Sequence, residues 1–236
     1  MLLKKIIEAI SQEPTGKLLD LGCASGHYSL ELAKLGFSVT ATDVTNRFLY
    51  SDKIKFVQFD SNKPLPFENE SFDYVLLAEV IEHLKAPFAA ILEINRILKS
   101  RGKLFLSTPN ILNLESRMRF LFEGTYEYFR EPPLDHVTHC RETGIDDSQV
   151  HIVPYRYHEL EFLLKDCGFD ISKISTSTLE GRNLSFLIPI IKLQMSSKKR
   201  RSIKKGGIDY RRINQILLSK ELLFGRHLIV KAEKIF

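Results

Sequence analysis

At 236 residues, 44% of them apolar and 27% charged, the chain has the make-up of a globular protein with one sizeable core. Its net charge of +5 hides an asymmetry: Lys192 to Arg212 carries nine basic residues and one acid, Asp209, and the remainder is net −3. The body is therefore no general polyanion binder, and the three cysteines, Cys23, Cys140 and Cys167, show neither a disulfide framework nor zinc-ligand spacing.

In chain order, Leu2, Leu3, Ile6, Ile7 and Ile10 recur at helical spacing, so the N-terminal segment predicts an amphipathic helix. It is too short and too charged for a signal peptide, and no apolar run reaches the ~18 residues of a spanning helix. A cytoplasmic setting is the expectation. Strands are predicted at 17–21, 38–42, 55–59, 74–77 and 103–107, with helices at 27–35 and 87–99, the second closed by an Arg101-Gly102 turn. This alternation predicts a parallel sheet with right-handed crossovers. Further on, 112–123 reads as a helix with Leu114, Met118, Leu121 and Phe122 on one face. Residues 157–166 read as another, capped by Gly168. The last strands are predicted at 171–175 and 227–232, flanking a long insertion at 179–225. A cap-like insertion spans 111–156, and the whole, 1–236, reads as one domain.

The most informative segment is Leu18-Leu19-Asp20-Leu21-Gly22-Cys23-Ala24-Ser25-Gly26, a strand ending in an acid and running into a glycine-bearing turn that opens a helix. A dinucleotide loop would read G-x-G-x-x-G and set a diphosphate on the helix N-terminus. Here the spacing is G-x-x-x-G, and Asp20 would repel a diphosphate but suits the methionyl ammonium of S-adenosylmethionine. Asp43 ends the second strand, well placed for two ribose hydroxyls. Asp60 follows the third, able to accept from an adenine amino group.

The stretch Pro66 to Val75, then Glu79-Val80-Ile81-Glu82-His83-Leu84, then Ile97 to Lys103 leading into Ser107-Thr108-Pro109-Asn110, resembles class I S-adenosylmethionine-dependent methyltransferases. The resemblance covers 17–110 and resumes at 157–169 and 224–234. It implies an α/β, Rossmann-like fold: a seven-stranded, mostly parallel sheet of order 3-2-1-4-5-7-6 with helices on both faces. It also implies a cofactor site made by Asp20, Gly22, Cys23, Gly26, Asp43, Asp60 and Ala78. Ala24 departs from the glycine that many members carry.

The reacting face is expected after the fourth strand. If that segment is helical, Glu79, Glu82 and His83 share one face, with His83 the candidate base for a hydroxyl acceptor and His151 opposite. The E-x-x-E-H pattern resembles quinone-biosynthesis and small-RNA 2′-O-methyltransferases, and implies that Glu79, Glu82, His83 and His151 could hold a divalent metal. The metal is an option rather than the expectation, and His136 and His139 are weaker candidates.

The expected acceptor is a hydroxyl on a sugar, lipid or quinone-like intermediate. A metal-dependent RNA 2′-O-methyltransferase and a non-catalytic cofactor-binding subunit are the alternatives. Residues 184–205 join apolar Phe186, Leu187, Ile188, Ile190 and Ile191 to basic Lys198, Lys199, Arg200 and Arg201. That pairing suits peripheral contact with the inner face of an anionic membrane. A lid helix with a solvated basic loop is the plain alternative, and the acidic body argues against nucleic acid.

Overall fold

A computed structural model describes residues 1–126, 129, 151–202 and 210–235; of 196–202, 210, 211 and 213 it describes the backbone alone. Seven strands form one sheet: β1 (Lys17–Leu21), β2 (Ser38–Asp43), β3 (Lys55–Gln58), β4 (Phe72–Ala78), β5 (Leu98–Pro109), β6 (Phe169–Ser175) and β7 (His227–Lys234). Their order is β3-β2-β1-β4-β5-β7-β6, and only β7 runs antiparallel to its neighbours. Order and direction agree with the sequence reading.

Strand periodicity divides the core into two layers. Leu19, Val75, Leu77, Leu104 and Leu106 face one side, where α3 (Pro87–Ile97) and α5 (Tyr157–Asp166) bury Ile91, Ile94, Leu160 and Leu164. Leu18, Leu76 and Phe105 face the other, covered by α1 (Leu2–Ile10) through Ile6 and Ile10 and by α2 (His27–Lys34) through Leu32. Central strands buried on both faces explain why they read as continuous apolar runs.

One expectation about regular elements is corrected. Residues 101–102 do not close a helix. The helix stops at Ile97 and β5 begins at once, with Arg101 at φ +58° and the register against β4 stepping from Leu98 to Lys103. A left-handed residue carries the extra chain outward as a bulge and leaves the ladder intact on either side. The helix α4 (Leu114–Glu123) forms as expected, and its apolar face is covered only at the start: Leu114 is buried, whereas Leu121 and Phe122 are largely exposed.

At the carboxyl end of β5 the amide of Asn110 donates to the carbonyls of Glu221, Leu222 and Gly225. These bonds fasten the end of the short helix Lys220–Phe224 to the sheet, and the Pro109–His227 pairing then delivers His227 to the edge where β1 and β4 end.

Candidate functional site

The loop from β1 to α2 is held from below and from the side. The amides of Gly22 and Cys23 both donate to the carbonyl of Thr42 (2.8 and 2.9 Å), and Ala24 N–H donates to Asp43 Oδ2 at 2.8 Å. Asp43 Oδ1 accepts from the amide and hydroxyl of Thr45, each at 2.8 Å. Gly22 has φ +79°, and a Cβ there would lie 2.4 Å from Val80 Cγ2. Gly26 has φ +89°, and a Cβ there would meet the Phe48 ring at 2.3 Å. Ala24 itself adopts φ +48°, which accounts for glycine being the easier residue at that place.

A cleft of about 390 Å³ opens over the carboxyl ends of the first four strands, within the size range of small-molecule sites. Gly22, Asp43, Asp60, Glu79, His83 and Ile152 are among its lining residues. It lies where the strand order reverses between β1 and β4, as open α/β sheets require. Asp60 Oδ1 accepts from the amide and side chain of Asn62, each at 3.0 Å.

Asp20, Cys23, Gly26 and Ala78 do not line this cleft. Asp20 is 1% exposed and accepts from Ser29 Oγ at 2.5 Å, which anchors the first turn of α2 beneath the loop. Burial, opposed by the Ser29 hydrogen bonds, pushes its carboxyl up to about 6.

Residues after β4 do not form the helix that would align Glu79 with Glu82 and His83. Glu79 takes φ +55°, and only Ile81–His83 make a short 3₁₀ turn. Glu79 therefore points elsewhere: Ser107 Oγ donates to its Oε1 at 2.6 Å, and His227 Nε2 stands 3.6 Å from its Oε2. Burial pushes the Glu79 carboxyl up to about 7, against the Ser107 bond and the Arg226 charge.

Glu82, His83 and His151 do come together. One ligand atom from each lies within 4.8 Å of the others, and the two imidazole rings have centroids 4.8 Å apart. The Glu82 carbonyl accepts from the amides of Ile152 and Val153 (2.7 and 3.2 Å), which brings His151 to this corner. The Glu82 side chain is fully buried, and neither carboxylate oxygen is in hydrogen-bond geometry with a described residue, although the Thr108 hydroxyl lies near enough to favour its charged form. Burial, then the nearby Glu79 carboxylate, holds its carboxyl well above the usual range. His136 and His139 lie outside the described residues.

Ser107, Ser177 and His227 were not singled out from the sequence as site residues. Ser107 opens the Ser-Thr-Pro-Asn segment at the end of β5, and an antiparallel last strand must begin at that edge, so both had a readable signal. Ser177, in an irregular stretch, had none.

A profile of the methyltransferase-domain family matches residues 2–174. The chain is 29% identical over 149 residues to a ubiquinone biosynthesis O-methyltransferase of Nitrosococcus oceani, spanning 55% of this chain and 63% of that protein. It is 35% identical over 130 residues to one of Xanthomonas oryzae pv. oryzae, spanning 48% and 54%. The matched parts thus cover less than two thirds of these relatives. Among solved structures, a SAM-dependent methyltransferase from Archaeoglobus fulgidus superposes with a TM-score of 0.60 at 20% identity, over 98% of this chain and 94% of that one. A 1,6-didemethyltoxoflavin-N1-methyltransferase from Burkholderia thailandensis, bound to S-adenosylhomocysteine, gives 0.59 at 12% identity, over 100% and 79%. Fold and cleft define a class I, S-adenosylmethionine-dependent methyltransferase architecture. The chain belongs to the methyltransferase-domain family.

Asp20 yields a pH-dependent expectation. Its folded value of about 6 lies above the ordinary 3.8, so between those values the folded state holds a proton that the unfolded state has lost. Its unfavourable contribution is absent below pH 4 and complete above pH 6. The stability of Asp20→Asn relative to the parent should rise by about 2–3 kcal/mol from pH 4 to pH 7, read by chemical denaturation. A difference independent of pH would contradict it.

Proposed function

We propose that the chain transfers a methyl group from S-adenosylmethionine to a hydroxyl oxygen of a quinone-like intermediate, using Glu82, His83 and His151 to hold a divalent cation. The observation that carries this reading is the Glu82 carboxylate, buried beside two histidine rings with neither oxygen in hydrogen-bond geometry. Such a group is costly alone and is relieved by a cation. The oxygen and imidazole donors suit magnesium, manganese or zinc. When bound, the cation lowers the pKa of a coordinated hydroxyl.

The cleft supports the cofactor half of the proposal. Asp43 spends both lone pairs of Oδ1 on Thr45 but only one of Oδ2, on Ala24, so one ribose hydroxyl can be accepted there. Asp60 keeps Oδ2 for the adenine amino group. Three acids along one cleft disfavour a diphosphate and accommodate a cationic sulfonium. The acceptor class rests on the O-methyltransferase relatives, and His83 would place its oxygen beside the methyl, where alignment matters most for an in-line displacement.

Titrating manganese into the protein should show one binding event that is lost in Glu82→Gln and in His151→Ala. Turnover of 3,4-dihydroxybenzoate as a probe should vanish with a chelator and return with metal. Full activity in chelator would favour His83 as a base without metal, with a loss of about 10²–10⁴-fold in His83→Ala. S-adenosylhomocysteine binding with no product from any acceptor would favour a non-catalytic subunit.

A membrane contact has its own support. A 3₁₀ turn (Arg182–Leu187) leads into α6 (Ile188–Ser202), and Phe186, Ile190 and Leu193, at positions i, i+4 and i+7, are 67%, 61% and 74% exposed. Lys198, Lys199, Arg200 and Arg201 follow in the same helix, and no acid occurs between Gly181 and Ile208. Among the described residues no helix is long and apolar enough to cross a membrane, so the contact would be peripheral. Each basic residue adds about 1 kcal/mol at an anionic surface. Phosphatidylglycerol vesicles should therefore sediment the protein at low salt, and replacing those four basic residues with serine should abolish it. No sedimentation at low salt would leave a lid or an interface.

A further inference from the structure

The left-handed backbone of Glu79 calls for an explanation. An L-residue in that region is strained where glycine would not be, and strain of this kind persists where the surroundings impose it. Here they do so at several atoms. Glu79 N–H donates to the Ser107 carbonyl at 3.1 Å, Oε1 accepts from Ser107 Oγ, and Oε2 faces His227. Glu79 is thereby held at the wall of the cleft that Gly22 and His83 also line.

His227 is fixed on its other side. Its Nδ1 stands 2.7 Å from Ser177 Oγ, a side chain only 7% exposed, while the imidazole is itself largely buried. The two ring nitrogens thus address two different groups, one in the wall and one in the cleft.

We propose that His227 is a positioning residue for the transfer: Ser177 fixes its imidazole through Nδ1, so that Nε2, 3.6 Å from Glu79 Oε2, presents its N–H toward that acid on the acceptor side of the cleft. The inference rests on the methyltransferase reading and adds a residue pair outside the cation cluster. Burial and the Arg226 charge keep the imidazole neutral, down to about 4, so the ring offers one donor and one acceptor. With Glu79 to be held by a donor, the proton belongs on Nε2 and the Ser177 hydroxyl donates to Nδ1. The relay fixes the tautomer in the way carboxylates and carbonyls do for histidines elsewhere.

Nitrogen-15 NMR of the histidine rings tests the arrangement without any acceptor. His227 should be a neutral Nε2–H tautomer, and Ser177→Ala should turn it into a mixture. A pure Nδ1–H tautomer, or a Ser177→Ala spectrum identical to the parent, would overturn the proposal.

Kinetics with 3,4-dihydroxybenzoate provide the second arm. His227→Leu should lower kcat by about 10–100-fold, as misplacement of a site group does, with KM for S-adenosylmethionine changed less than about twofold. His227→Gln, which keeps an N–H near the place of Nε2, should recover most of that loss, whereas His227→Asn, which mimics Nδ1, should not. Equal activity in the leucine and glutamine variants would refute a positioning role. If the parent turns over no hydroxyl probe, the acceptor reading fails, and the tautomer still decides the role of His227.

Discussion

The bond from Ala24 N–H to Asp43 Oδ2 is the constraint on which the cleft depends. It ties the loop after β1 to the end of β2, and with the two amides on the Thr42 carbonyl it sets the height of Gly22 above the sheet. A loop so fastened cannot carry a side chain at Gly22, because Val80 occupies that space from the end of β4. Three consecutive strand ends thus fix one another, and the cleft is their common boundary. Asp43 is both a structural clamp and a lining acid, which explains why one carboxylate can be asked to do both: its four lone-pair sites are not all spent.

The far wall is built on a different principle. Where the near wall gives the Asp43 carboxylate three donors, the far wall leaves Glu82 buried with neither oxygen in hydrogen-bond geometry, and strains Glu79 into left-handed backbone. Both features lower stability, and both put acids where chemistry can use them. Two local rules are broken together at this end of β4, and such a coincidence is the usual mark of a working site.

The sheet was legible because each strand carries its own signal: apolar runs such as Val75-Leu76-Leu77, acids at strand ends, and the Gly22-to-Gly26 spacing. The places of Asp43, Asp60 and His83 around one cleft were likewise readable from strand order, and that of His151 near Glu82 and His83 from the E-x-x-E-H resemblance. The burial of Asp20 was not legible, because sequence shows that an acid ends β1 but not which way its side chain turns. Ser29, one helical turn into α2, captures it. Glu79 was misaligned because a helix was assumed across Glu79 to His83, and a single positive φ rotates it toward Ser107. The Ser177–His227 pair joins a loop to the last strand across the long insertion, a contact that no local pattern encodes.

The most direct test is calorimetry of S-adenosylhomocysteine against the parent chain and Asp43→Ala. The account expects one-site binding to the parent, weakened by about 1–3 kcal/mol in the variant through loss of a charged hydrogen-bond partner. Tight binding of a nicotinamide dinucleotide with no binding of S-adenosylhomocysteine would contradict it.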